Sequence, residues 1–267
     1  MIKVGLCGFT IAQSRYPAAF PVVEVQQTFY QPPAAAVMDR WRAVVPADFE
    51  FTLKAWQLIT HPALSPTYRR LKRALSETER AGAGGFRASA IVDEAWAVTV
   101  ACAARLRATA ILFQCPGSFR PTPDNLNSLR AFMARIDRPA GVRLMFEPRG
   151  AAWTYELARP LCDELGLTYV VDPFVTRWPP GLPDRVTYFR LHGVSGARHS
   201  YTDAELEELA GIARRPGDVY VMFNNIPRLA DAQRFLRRNV ALPARGAHSA
   251  RSGAQASPTS AGEGRDK

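Results

Sequence analysis

The chain predicts an α/β fold: a TIM-type (β/α)8 barrel with a shortened first crossover and a disordered C-terminal tail. Three observations carry that prediction. Eight apolar, β-branched runs alternate with segments of helical period, the pattern of a parallel sheet with helical crossovers. The 267 residues, 47% hydrophobic, match the roughly 250 that such a barrel needs as one domain. Polar residues stand at or near the C-terminal ends of the runs, where barrels collect their functional groups.

In chain order the predicted strands are Lys3–Cys7, Val22–Gln26, Phe49–Lys54, Ala110–Gln114, Arg143–Glu147, Thr168–Asp172, Val186–His192 and Val219–Asn224. The predicted helices are Ala34–Ala43, Pro66–Ala81, Asp93–Arg107, Pro123–Ile136, Thr154–Leu165, Asp203–Arg214 and Leu229–Arg238. Ser65-Pro66, Thr122-Pro123 and Thr202-Asp203 each place a capping hydroxyl before a first turn, twice with proline at the first helical position. Only Gly8 to Pro21 separates the first two strands, so that crossover must be a short helix or a tight coil. Gly82-Ala83-Gly84-Gly85 divides the two helical stretches after the third strand and reads as the mark of an added helix or a mobile loop. From Val240 to Lys267 the chain is rich in Ala, Gly, Ser, Pro and Arg and has no aromatic residue. Such a segment buries too little surface to offset its ordering entropy, which predicts a barrel domain over 1–239 and a disordered tail over 240–267.

Composition excludes several classes. No run of about 18 uncharged apolar residues exists, and the N-terminus lacks the basic region, apolar stretch and small-residue cleavage site of a signal peptide. Cys7, Cys102, Cys115 and Cys162 form no CxxC pair, which argues against a disulfide scaffold or structural zinc; a reducing cytoplasm is the expected location. The net charge of +10 would permit a polyanionic partner, but the basic residues are scattered and form no block interleaved with aromatics. No GxGxxG or GxxxxGK[ST] loop is present, so dinucleotide and P-loop chemistry have no support. Arginine supplies nearly all the positive charge; the only lysines are Lys3, Lys54, Lys72 and Lys267.

Alternation along each strand sends one parity into the barrel. In Tyr188-Phe189-Arg190-Leu191-His192 the apolar parity is Phe189 and Leu191, so Arg190 and His192 face inward. The same test turns Glu24, Lys54, Gln114, Glu147, Asp172 and Asn224 inward. Such a ring is either a functional pocket or an internal ion network, and charges there must be paired in both cases. Three carboxylates opposed by Lys54, Arg190 and nearby Arg149 leave little negative charge for Ca²⁺ or Mg²⁺. No cofactor is predicted, although Glu147, Asp172 and His192 could hold Zn²⁺ or Mn²⁺.

At these residues the chain resembles the YecE-like family, catalogued as domain of unknown function 72. The segments that carry the resemblance are VEVQQTFYQPP (Val23–Pro33), FTLKAWQLITHP (Phe51–Pro62), LFQCPGSF (Leu112–Phe119), FEPRGAAW (Phe146–Trp153), YFRLHG (Tyr188–Gly193) and VYVMFNN (Val219–Asn225). The resemblance implies a TIM-type barrel. It implies that Glu24, Lys54, His61, Gln114, Glu147, Arg149, Trp153, Arg190, His192, Tyr201, Asn224 and Asn225 occupy the family's motif positions. It implies no particular reaction. The segment Gly8–Pro21 is shorter than usual for the family, and Gln26-Gln27 stand where Asn-Ser is common.

The expected function is that of an enzyme, a hydrolase, lyase or isomerase, acting by general acid–base chemistry on a small anionic or polyhydroxylated substrate. Lys54 would be a base or electrostatic clamp, Glu147 and His192 proton-transfer groups, Arg149 and Arg190 anion holders, and Gln114 and Asn224 positioners. Glu24, His61, Asp172, Tyr201 and Asn225 complete the expected substrate contacts. Schiff-base chemistry at Lys54 is also open, because a buried ammonium can lose its proton where a guanidinium cannot. The alternatives are a non-catalytic barrel binding a phosphorylated metabolite or nucleic acid, and a metal-dependent phosphodiester hydrolase. Trp153 reads as either a packing anchor or a substrate platform; His199 and His248 read as solvated.

Overall fold

The structure, a computed structural model, describes residues 1–176 and 186–239. The tail expected over 240–267, with His248, lies outside the described residues. Eight strands, β1 (Ile2–Cys7), β2 (Val22–Val25), β3 (Glu50–Lys54), β4 (Ala110–Gln114), β5 (Arg143–Glu147), β6 (Thr168–Val171), β7 (Val186–Leu191) and β8 (Asp218–Phe223), pair in parallel and in chain order. The pairing of β1 with β8 closes the barrel.

Alternation sorts the strand residues into two cores. Val4, Leu6, Phe51, Leu53, Phe113, Phe146, Phe189, Leu191, Val221 and Phe223 pack outward against the helices. The opposite parity fills the barrel with Cys7, Val22, Ala110, Leu112, Met145, Val170, Tyr188, Tyr220 and Met222. Each large apolar side chain buried this way contributes about 1.5–3 kcal/mol. Below that layer Lys3 plugs the N-terminal end, its Nζ 2.6 Å from Glu50 Oε1, which accounts for the first of the two strand lysines.

The short first crossover is α1 (Tyr16–Ala19), as its length required. One residue does the joining that a full helix would do by packing. The fully buried Tyr16 hydroxyl accepts from the Leu6 amide at 2.9 Å and donates to the Val22 carbonyl at 3.2 Å, tying β1 to β2. Two further helices, α2 (Gln27–Tyr30) and α3 (Ala35–Ala43), lead to β3.

The segment after β3 departs from expectation. It begins with α4 (Gln57–Thr60), and the helix expected over Pro66–Ala81 is instead a 3-10 turn (Pro66–Arg70) followed, after a break, by α5 (Glu77–Gly82). Two local causes are visible. The Ser65 hydroxyl bonds Thr67 Oγ1 and caps nothing, whereas Ser76 and Glu79 form a capping box that starts a new helix. The glycine run does separate two helices, α5 and the one that begins at Ala90, but it is tied to the body of the barrel. The amides of Gly84 and Phe86 donate to the Leu58 and Ile59 carbonyls at 2.7 and 2.9 Å. Gly84 has φ +79°, and a Cβ there would lie 2.2 Å from the His61 carbonyl oxygen, so only glycine permits this close approach.

The remaining helices are α6 (Ala90–Leu106), α7 (Pro123–Arg135), α8 (Tyr155–Leu165), α9 (Asp203–Ala213) and α10 (Arg228–Asn239). Thr122 and Thr202 cap α7 and α9 as expected, the latter in a capping box with Glu205. Among the described residues no helix is long and apolar enough to cross a membrane.

Candidate functional site

The inward parity at the strand ends assembles one polar cluster around Arg190, which is completely buried. Its guanidinium spans the barrel. Nη2 and Nε donate to Glu24 at 2.7 and 3.1 Å, while Nη1 donates to Glu147 and, at 3.1 Å, to Gln114 Oε1. Glu24 also accepts from the Tyr188 hydroxyl at 2.9 Å and from Gln26, and Thr52 donates to Tyr188 at 2.9 Å. Both glutamates are therefore committed to the same cation. Such saturation is what a buried ion cluster requires.

Glu147 accepts from three different side chains. Besides Arg190 it receives Arg149 Nη1 at 3.0 Å and His192 Nε2 at 2.7 Å. Burial pushes its pKa up, but Arg190, His192 and Arg149 outweigh burial and hold the carboxyl well below the usual range. On the far side of the imidazole, Asn224 Nδ2 lies 2.9 Å from Nδ1. With the amide nitrogen donating, Nδ1 accepts and the neutral ring carries its proton on Nε2, toward Glu147. Asp172 accepts from the His192 and Phe174 amides at 2.8 and 3.1 Å; burial nevertheless raises its pKa.

Glu147, Arg149, Asp172, His192 and Asn224 line a cavity of about 780 Å³ at the ends of β5 to β8. Tyr155, Tyr169, Val171 and Val175 form apolar parts of its wall. Trp153 also borders it, but as a packing anchor. Its indole donates to the Phe119 carbonyl at 2.7 Å, stacks on Phe119 and meets Phe146 edge-on.

On the β3 side Lys54 is 5% exposed, and among the described residues no carboxylate or hydrogen-bond acceptor meets its Nζ. The ammonium lies 3.6 Å from the centroid of the Phe29 ring, which α2 holds over it. Burial, then the nearby Arg190 charge, lowers its pKa to about 7 against the weaker pull of Glu24 and Glu147. His61 packs edge-on against the same ring at 4.8 Å, with Nδ1 2.7 Å from the Thr60 hydroxyl. Burial and Lys54 bring its pKa down to about 3, so the imidazole is neutral.

The expected residues thus divide. Glu24, Lys54, Gln114, Glu147, Asp172, Arg190, His192 and Asn224 share one end of the barrel, where Glu147, Asp172, His192 and Asn224 line the cavity and Glu24, Lys54, Gln114 and Arg190 do not. Two expectations are corrected. Asn225 follows the opposite parity and is fully buried behind the barrel, its Nδ2 donating to Asp231 at 2.6 Å and the His199 carbonyl at 2.8 Å. Tyr201 is buried in the outer core against Phe223, and its hydroxyl accepts from the Gly193 amide at 2.9 Å. Neither lines the cavity; both fix the chain that follows His192. His199 is not solvated either, for it bridges Ser195 and Glu205 at 3.0 and 3.1 Å. Sequence reasoning passed over Tyr188 and Phe29. Tyr188 shares Arg190's parity two residues earlier, which was signal enough; Phe29 comes from a four-residue helix whose position no spacing encodes.

A metal at Glu147, Asp172 and His192 finds little freedom. Each side chain already has partners, two guanidinium groups face the same carboxylate, and no group of three or more His, Cys, Asp or Glu among the described residues is arranged to hold a metal ion.

Comparison with known proteins agrees with this architecture. The family model described as "Protein of unknown function DUF72" matches residues 13–256. A DUF72 family protein from Enterococcus faecalis V583 superposes with a TM-score of 0.69 at 19% identity, over 91% of this chain and 96% of that one. Another from Thermotoga maritima MSB8 gives 0.62 at 20% identity, over 89% and 98%. A xylose isomerase domain containing protein from Salmonella typhimurium LT2 gives 0.54 at 12% identity, over 89% and 96%, and shares the fold alone. No curated protein matches the chain. With most of its length matched by that family model, the chain belongs to the DUF72 family.

Proposed function

We propose that the protein is an enzyme that acts on a small anionic or polyhydroxylated molecule by general acid–base chemistry at the C-terminal end of the barrel. One observation carries this. His192 is half-buried at the edge of a cavity of about 780 Å³, with one ring nitrogen against Glu147 and the other against Asn224. A base oriented by a carboxylate on one side, with its other nitrogen held only by a neutral amide that a substrate would have to displace, is suited to moving a proton. Arg149, the most exposed of the site's cations, would hold an anionic group, and Lys54 would serve as a second base close to neutrality. No cofactor is called for. Small molecules are the expected partners, and a cytoplasmic setting fits four buried free thiols.

Solvent exchange tests this without knowledge of the product. The protein is incubated in D₂O with hydroxy acids, sugar acids and ketoses, and loss of C–H signals is followed by NMR. The expected result is exchange into one substrate class that falls at least about 100-fold in His192→Ala and Glu147→Gln. Arg149-dependent binding of the same compounds with no exchange would instead establish a non-catalytic binding barrel. Hydrolysis of phosphodiesters dependent on added metal would establish the third alternative.

A further inference from the structure

Lys54 has an environment that base catalysis alone does not require. It is a buried amine at the C-terminal end of β3, and Arg190 has taken both glutamates that could have neutralised it. Among the described residues, Nζ meets the face of Phe29 at 3.6 Å, with a neutral His61 beyond that ring. Lys3, the other strand lysine, shows the contrast, with its Nζ 2.6 Å from Glu50 at the opposite end of the barrel. An amine with no carboxylate in contact among the described residues is not only a base but a nucleophile toward carbonyl carbon.

We propose that Lys54 is a covalent carbonyl-binding residue, condensing with the aldehyde or ketone group of a small substrate to form an imine. This rests on the acid–base function proposed above and narrows its substrate class to carbonyl compounds, anionic or hydroxylated. The step balances without any further reagent. The Nζ lone pair forms a bond to the carbonyl carbon, giving a carbinolamine once a proton moves from nitrogen to oxygen. The carbon–oxygen bond then breaks and the oxygen leaves as water, both of whose hydrogens come from the amine. Uptake of one proton gives the iminium ion, which withdraws electrons from the adjacent carbon and makes its proton removable. Hydrolysis returns the amine. A titration midpoint near neutrality would leave about half of Lys54 as free amine at pH 7, against well under about 0.1% for an ordinary lysine.

The chain carries only four lysines, so site assignment is clean. The intact protein is treated at pH 7 with dihydroxyacetone or pyruvate and sodium cyanoborohydride, and adducts are mapped by peptide mass spectrometry. The pH midpoint of Lys54 is measured in parallel by NMR of the ¹³C-labelled lysine side chain. The expected result is an adduct on Lys54 formed at least about 10-fold faster than on the exposed Lys72, because the free-amine fractions differ by more than that. Lys54→Met should lack this adduct, and mapping on the unaltered protein decides the matter if that variant does not fold. Adducts on Lys72 or Lys267 with none on Lys54, in a protein whose Lys54 titrates near 7, overturn the imine and leave the base role standing. A Lys54 that titrates near 10 and forms no adduct overturns both roles of this residue. Deuterium exchange that depends on His192 and Glu147 would then still support acid–base catalysis.

Discussion

The two sides of the barrel mouth use the same strand-end positions to opposite effect. On the β5 to β8 side, Glu147 collects Arg190, Arg149 and His192 and opens onto the cavity. On the β3 side, no carboxylate among the described residues contacts Lys54, which lies beneath Phe29. Burial disfavours the charged form of both residues, yet one carboxyl is driven well below its ordinary range while the ammonium falls to about 7. Burial is common to both, so the number of opposite charges in contact decides which way each group goes. Arg190 joins the two sides, stabilising Glu147 as an anion and Lys54 as a neutral amine.

The largest expected effect comes from removing that link. Arg190→Met would leave Glu24 and Glu147 buried without their common cation, and stranding a buried charge costs about 3–5 kcal/mol. Urea unfolding should show that loss, with much of it restored when Glu24→Gln is added. Full stability in the single variant would mean that the two glutamates are not held by Arg190, and the comparison would fail.

A smaller effect, of a particular sign, is expected at Lys54. Below pH 7 the folded and unfolded chains both hold its proton. Between about 7 and the ordinary value near 10.4 only the unfolded chain does, so stability rises with pH across that window. From pH 7 to 9 the gain is about 2 kcal/mol, and Lys54→Met should not show it. His61 acts with the same sign in acid, between about 3 and an ordinary value near 6.5. Because no hydrogen bond or ion pair joins Lys54 to Glu147 among the described residues, a Lys54→Met/Glu147→Gln cycle at pH 7 should show coupling well below the about 3–5 kcal/mol of a broken buried ion pair. A large coupling with recovery in the double variant would make the two a structural ion pair.

The barrel and its polar ring were legible because period and parity are properties of the chain itself. Strand alternation placed Arg190, Glu147 and His192 inward, and the outer parity of Phe189 and Leu191 confirms it. What was not legible depends on contacts between distant segments. Phe29 over Lys54 and the approach of Gly84 to His61 are set by packing, and Pro66–Ala81 was misread because a capping box at Ser76 overrides the helical period. Asn225 and Tyr201 lie within or near the segments that carry the family resemblance, and such segments mark structural clamps as readily as substrate contacts.

Those clamps give the smallest and most discriminating effect. After His192 the chain turns through Gly193, at φ +93°, where a Cβ would lie 2.3 Å from the Gly196 carbonyl oxygen. The turn is anchored by the Tyr201 hydroxyl on the Gly193 amide and by Asp231, fully buried, which accepts from Ser200, the Tyr201 amide and Asn225. Tyr201→Phe removes one buried acceptor and leaves the Gly193 amide unpaired, a loss of about 1–3 kcal/mol. Because the anchor lies beside β7 and β8, the change should loosen His192 and leave the β3 side untouched. Two measurements separate these effects: urea unfolding for the stability loss, and ¹³C NMR titration for Lys54, whose midpoint should stay within about 0.3 units of the unaltered protein, since no charge near it changes. A Lys54 midpoint that moves by a full unit would mean that the loop after His192 reaches across the barrel, and that the two sides of the mouth titrate as one site.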